Sequence, residues 1–167
     1  YLCREFKRMM NERGDEQASN LFFRESLLHE MYFSEKPRLA ELTVRYEALR
    51  CDIMQQYYMN KDYDNVIRIA TSLDFHDDAD PNASCLVYYY KAQAYVKLEN
   101  YPMAKEAFFR ELELRKKYLG WEEEDTILAC QNLGVLHSFC NEREEALACF
   151  REAYGHEVKK NGEDSEM

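Results

Sequence analysis

The chain of 167 residues is short of the residues that interrupt regular structure: it has 5 Gly and 3 Pro. That excludes collagen-like, Gly/Ser-linker and Pro-rich architectures. No apolar run approaches the roughly 18 residues that a membrane-crossing helix needs. The first ten residues, YLCREFKRMM, are charged throughout and have no secretory h-region. Basic residues are outnumbered, with 22 Lys+Arg against 32 Asp+Glu and a net charge of −10. Such a balance speaks against nucleic-acid backbones and anionic membrane surfaces, which call for dense Lys and Arg. Six cysteines occur, none of them in a CxxC pair. Zinc spacing and a disulfide framework are therefore not expected, and the thiols read as reduced, mostly buried groups of a cytoplasmic protein. There is no Gly-rich phosphate loop, no nucleophile elbow and no HExxH. No catalytic residue, cofactor or metal is expected, and the chain reads as a non-enzyme. The first residue is Tyr rather than Met, as in a piece of a longer protein.

What remains is 46% hydrophobic and 32% charged, a helical composition large enough for one sizeable core. Two registers 42 residues apart repeat between Tyr88 and Ala153. Ala92, Tyr95, Ala104 and Phe108 return as Gly134, His137, Ala146 and Phe150. A more divergent copy lies 38 residues upstream, where Tyr57, Tyr63 and Val66 precede Tyr95, Tyr101 and Ala104, with Met54 in a small-residue slot. A fourth and weakest copy is expected around Ser19, Phe23 and Ser26. The reason for such a pattern is steric: small residues let antiparallel helices approach, and aromatics fill the gap to the next hairpin.

Helices follow from periodicity and caps. Leu2, Phe6, Met9 and Met10 mark one over residues 1–12. After a Gly14-Asp15 turn, Ala18, Leu21, Phe22, Glu25, Leu28 and Tyr32 mark the next. A long helix is expected from Pro37, with Ser34 upstream, to about Asn60, its stripe being Leu39, Leu42, Tyr46, Leu49, Ile53 and Tyr57. Asp62 should cap a helix ending near Leu73. The acidic loop DFHDDADPN then leads to a helix from about Asn82 to Leu98. Asn100 should cap the next one, with Pro102 in its first turn, ending near Tyr118 at Gly120. Trp121 should plug the space between hairpins. Asp125 is the expected cap of the following helix, which carries Ile127, Cys130, Leu133, Gly134 and His137 inward. Asn141 and Glu144 have capping-box form, ahead of a last helix packed by Ala146, Leu147, Phe150, Ala153 and Tyr154. No linker divides the chain, so residues 1–158 read as one domain and 159–167 as a polar tail.

The repeat resembles the tetratricopeptide repeat family, whose pattern is a large residue, Leu-Gly and Tyr on the first helix, then Ala and Phe on the second. Leu133-Gly134, His137, Ala146, Phe150 and Ala153 match best; Tyr88, Ala92, Tyr95, Ala104 and Phe108 follow. The 42-residue period exceeds the common one of about 34. With Leu119-Gly120, Asp125-Thr126 and Asn132-Leu133-Gly134-Val135-Leu136 it is similar to the kinesin light chain subtype, over residues 82–158. The resemblance implies an all-α fold, an α-α superhelix of about three and a half to four hairpins.

It also implies that the first helix of each pair lines a concave groove. The groove positions are then Cys51, Asp52, Gln55, Tyr58 and Met59 in one copy, Tyr89, Tyr90, Gln93, Val96 and Lys97 in the next, and Gln131, Asn132, Val135, Ser138 and Phe139 in the last. Gln55, Tyr58, Tyr89, Tyr90, Gln93, Lys97, Gln131 and Asn132 are the candidate peptide-binding residues. Carboxamides both donate to and accept from a peptide backbone, and tyrosines offer apolar contact with a polar tip. The competing reading is that these side chains are solvated or covered by neighbouring hairpins. The family's carboxylate clamp is missing, since Cys51, Gln55, Leu128 and Asn132 stand where Lys, Asn, Lys and Arg would be.

Two chemical alternatives are weaker. His76 with Asp77, Asp78 and Asp80 lacks the Gly and terminal Glu of a calcium loop. Cys130 and His137 lie seven apart on one helix and read as a core pair. The expected function is thus a protein-protein interaction scaffold that holds a peptide or partner segment. The alternative is a regulatory or sensor input domain packed against another domain of a larger signalling protein. Self-association through the apolar ends of terminal hairpins is a further partner mode.

Overall fold

Three short turns set the architecture, and each depends on a single left-handed residue. In the computed structural model, which describes residues 24, 26, 40–71 and 80–163, six α-helices stand among the described residues: α1 (Ala40–Met59), α2 (Tyr63–Thr71), α3 (Pro81–Lys97), α4 (Tyr101–Tyr118), α5 (Glu124–Phe139) and α6 (Arg143–Glu163). The fold is all-α, with no strand among the described residues. The expectations for residues 1–23, 25 and 27–39 and for the DFHDD loop lie outside the described residues, and of the His76 carboxylate set only Asp80 is described.

Lys61, Glu99 and Asn141 have φ of 61°, 58° and 63°. Around each the same bonds recur. Asp62 N donates to Tyr57 O, Asn100 N to Tyr95 O and Glu142 N to His137 O, all at 2.9 Å. One residue earlier, Lys61 N donates to Tyr58 O, Glu99 N to Val96 O and Asn141 N to Ser138 O. This paired closure satisfies the last carbonyls of the first helix. The acceptor carbonyls belong to the aromatic slots Tyr57, Tyr95 and His137, so the sequence repeat is also a backbone repeat.

The residue after each left-handed position starts the second helix. Asp62 Oδ1 accepts from Asn65 N at 3.3 Å, and Asn100 Oδ1 from Met103 N at 3.4 Å. Both were expected. At the third turn the expectation fails: Asn141 is the left-handed residue, not the cap of a capping box. α6 begins after Glu142, whose carbonyl accepts from Ala146 N. Glu142 turns its carboxylate outward to Lys105 and to His137 Nδ1 at 2.6 Å. α3 starts at Pro81, close to the expected Asn82; Asp80 caps it, accepting from Ala83 N at 3.1 Å, and Pro81 takes the first turn, where its missing N–H costs nothing. One other cap moves. Glu123 occupies the cap position of α5 without a side-chain bond. Asp125 sits inside the first turn, where the helix dipole favours its charge.

α1 packs on α2 and α3, α3 on α4, α4 on α5, and α5 on α6. One core gathers Ile53, Met54, Val66, Ile69 and Val87. The other gathers Ala92, Ala104, Phe108, Leu112, Cys130 and Leu133. Gly134 permits the closest approach: a Cβ there would stand 3.0 Å from Phe150 and 3.1 Å from the Cys149 Cβ. Arg50 is fully buried, and its Nη2 donates to Ile69 O at 3.1 Å and Ala70 O at 2.9 Å. It thereby covers carbonyls at the end of α2, which nothing in the sequence signalled. Gly120, at φ 78°, ends the α4 segment, and Trp121 stacks on His156 of α6 with ring centroids 4.1 Å apart. Arg24 Nη2 reaches Asp52 Oδ2 on α1 at 2.6 Å.

The last helix departs from expectation. Ala146 and Ala153 are buried, but Leu147, Phe150 and Tyr154 are 51%, 37% and 67% exposed. Their packing was expected from the repeat; no described helix lies beyond α6 to cover them. α6 also continues through Glu163, past Lys159 where the sequence suggests a tail.

A left-handed residue with a Cβ is strained by about 1 kcal/mol relative to Gly, and less for Asn. Glu99→Gly and Lys61→Gly are expected to raise stability by about that amount in urea denaturation, and Asn141→Gly by less. A loss in all three would mean that the turns are not strained.

Candidate functional site

Although α1 packs on α3, the next pair of first helices, α3 and α5, come no closer than 8 Å between Cα atoms. α4 runs beneath the space between them, leaving a furrow with α3 and α5 as walls and α4 as floor. At the end near the helix C-termini the furrow widens into a cleft of about 370 Å³. Gln93, Val96 and Lys97 of α3 face Asn132, Val135 and Phe139 of α5 across it, and Phe108 of α4 lies below. Val135 and Phe139 are 59% and 68% exposed, and the Phe139 ring lies 5.3 Å from that of Tyr101. The cleft is thus apolar, with a carboxamide on each wall. Such a surface can hold an apolar side chain while the amides bond to a backbone.

The sequence candidates divide accordingly. Gln93, Lys97 and Asn132 come together in the cleft. Gln131 is turned to the opposite flank, in a hollow between α5 and α6 beside Glu157 and Lys160. Tyr89 lies further along the furrow. Tyr58, Tyr90, Tyr89 and Phe108 form a chain of ring contacts with centroids 5.7, 5.4 and 6.5 Å apart. Burial raises the pKa of all three tyrosines above the usual phenol value, so they stay neutral donors. Gln55 is exposed on α1, one hairpin away.

Beyond Asn132 the furrow has a polar end that the sequence reading missed. Glu111 is 1% exposed on the floor. Its Oε1 accepts from Arg115 Nε at 2.8 Å, and Arg115 Nη1 reaches Asp125 Oδ2 on α5 at 3.4 Å. Burial pushes the Glu111 carboxyl up to about 7, against the pull of Arg115. The available signal was its place on the stripe Ala104, Ala107, Phe108, Leu112, where a charge four residues before an Arg reads as a solvated pair.

Two other groups are accounted for by packing. The buried Cys130 thiol donates to Cys149 O at 3.3 Å, and burial pushes its pKa up to about 12, so it is not a nucleophile near neutrality. His137 is half-buried and bonded to Glu142. That bridge ties the third turn to Lys105 of α4, and the Lys105 and His137 hydrogen bonds hold the Glu142 carboxyl below its usual range. No described helix is long and apolar enough to cross a membrane.

The Glu111 shift carries a pH dependence. Between pH 4.5 and about 7 the folded chain keeps a proton that the unfolded chain has released. This contribution to stability is therefore full below pH 4.5 and falls as pH rises through 7, by at most on the order of 3 kcal/mol. Urea midpoints compared at about pH 5 and about pH 8 should show the fall. In Glu111→Gln the fall should shrink, because the titrating group is gone; an unchanged slope would assign it elsewhere.

No family model matches this chain, and no curated protein matches it significantly.

Proposed function

We propose that the chain is a non-enzymatic interaction module that holds an extended segment of a partner protein in the furrow between α3 and α5. The observation that carries this reading is the cleft itself. Gln93 and Asn132 stand on facing walls, and Val135 and Phe139 are exposed between them and solvent. Exposed aromatics and aliphatics gathered in a concavity with convergent amides are the usual composition of a recognition groove. The three like turns, with their 38- and 42-residue offsets, favour a superhelix of the tetratricopeptide type and its kinesin-light-chain-like long repeat. A partner segment would lie along the furrow, its backbone bonded by the carboxamides and one apolar side chain in the cleft.

A positional-scanning array of extended peptides, read by fluorescence polarisation, tests the reading. Asn132→Ala and Phe139→Ala should each weaken the best peptide about tenfold, while Gln131→Ala, on the other flank, should leave it unchanged. Capture that is indifferent to Asn132 and Phe139 would remove the furrow from the account.

The second reading, a regulatory input domain buried against another domain, is favoured by α6. Phe108 and Leu112 are each 3% exposed, yet their counterparts 42 residues later, Phe150 and Tyr154, are 37% and 67% exposed. With Leu147 and Val158 they form an apolar stripe suited to a further packed helix. On this reading the isolated chain self-associates as its concentration rises in sedimentation velocity, and Tyr154→Lys abolishes the association without altering the melt. A monomer at every concentration would leave the stripe without a packing role.

A further inference from the structure

The polar end of the furrow is a hollow of about 140 Å³ between α3, α4 and α5. Leu86 and Tyr89 line one side and Ala129 and Asn132 the other, with Glu111 and Arg115 on the floor. Glu111 is almost fully buried, and while Oε1 is held by Arg115, no protein donor reaches Oε2. A buried carboxylate oxygen without a donor is costly, so a structure that retains one gains most from whatever supplies the missing N–H. The local charge has the same sense: Glu111 and Asp125 face the single guanidinium of Arg115. That guanidinium already lies between the two carboxylates, which leaves no room for a metal ion to bridge them. Room does remain for one small donor-bearing head.

We infer that this hollow is a subsite for a cationic nitrogen head, the ammonium or guanidinium of a basic side chain, with Glu111 Oε2 as its acceptor and Tyr89 and Leu86 against its methylene stem. The inference rests on the furrow reading above, because the basic side chain belongs to the segment held there. Asn132 borders both the hollow and the apolar cleft. Tyr89 and Val96 mark the two on α3 and are seven residues apart, which is about 10 Å along a helix and about three residues of extended chain. The preferred segment therefore carries a large apolar residue and, three positions away, Lys or Arg. A basic segment also suits a chain with a net charge of −10.

The hollow is tested first without any peptide. n-Butylammonium chloride is titrated into the isotopically labelled chain at about pH 8, with n-butanol and sodium chloride as matched controls, and backbone amides are followed by NMR. The expected result is saturable shifts at Tyr89, Ala129 and Asn132 with the amine only. These weaken at least about tenfold in Glu111→Gln and are blocked in Leu86→Trp, a change at a half-exposed rim position that leaves the core intact. Equal shifts with butanol, or shifts retained in Glu111→Gln, would overturn the cation site. In the peptide format, Lys should exceed its near-isostere norleucine about tenfold at the position three from the apolar anchor, and Glu111→Gln should erase the difference while keeping the anchor's contribution. Amine binding without any peptide capture supports the site and overturns the furrow reading. Peptide capture that is blind to lysine, with no amine binding, does the reverse.

Discussion

The described hairpins depend on reversing direction within three residues. At Lys61, Glu99 and Asn141 a single left-handed position closes one helix, and the next residue opens another. So short a turn forces the two helices to be antiparallel and adjacent, and adjacency is tolerable only where side chains are small. Ala92 and Ala104 in one buried core, and Gly134 against the Cys149 and Phe150 side chains, supply that condition. The sequence repeat is thus a consequence of the turn. Positions that recur are those whose size or carbonyl is constrained by it.

The furrow arises where the constraint is relaxed. Within a hairpin the link is three residues, of which one is left-handed, but between α4 and α5 the chain passes through Leu119 to Glu123, with Gly120 left-handed and Trp121 pinned on His156 beneath Lys116. At this joint α5 lies on α4 with no Cα within 8 Å of α3. Part of the resulting opening is lined by polar groups: Glu111, Arg115 and Asp125 connect floor to wall. A buried charged cluster of this kind is weak evidence for stability, since desolvation opposes the Coulomb gain. On the cation-site reading, its value lies in leaving the Glu111 Oε2 acceptor at a concavity, where an apolar residue would leave only packing.

The helical class, the hairpin boundaries and the caps at Asp62 and Asn100 were legible in the sequence because each has a residue-level cause: apolar spacing, Asx chemistry, Pro in a first turn. The exchange of roles between Asn141 and Glu142 was not, since Asn suits both an N-cap and a left-handed position and its identity does not say which it takes. The division of Gln131 from Asn132 was missed for another reason. Neighbours on a helix point about 100° apart, so a groove assigned by repeat register alone takes in both flanks, and only the packing of α5 on α4 and α6 separates them. Glu111 was passed over because a Glu four residues before an Arg reads as a solvated pair; its burial depends on α5, a contact invisible to local pattern.

The same dependence explains the two ends of the repeat. Phe108 and Phe150 occupy equivalent positions, and so do Leu112 and Tyr154. The first of each pair is core because α5 lies over α4, and the second is surface because no described helix lies over α6. In an array built from like hairpins, burial is therefore a property of the junction and not of the residue. On the furrow reading, specificity belongs to the junctions too. Gln93 and Asn132 do not correspond in the repeat, since Gln93 aligns with Val135 and Asn132 with Tyr90. They face each other only because α3 and α5 are held apart on α4. The furrow's shape can then change with any residue that alters that separation, including Trp121 and Glu111, neither of which a groove pattern read along one helix would include.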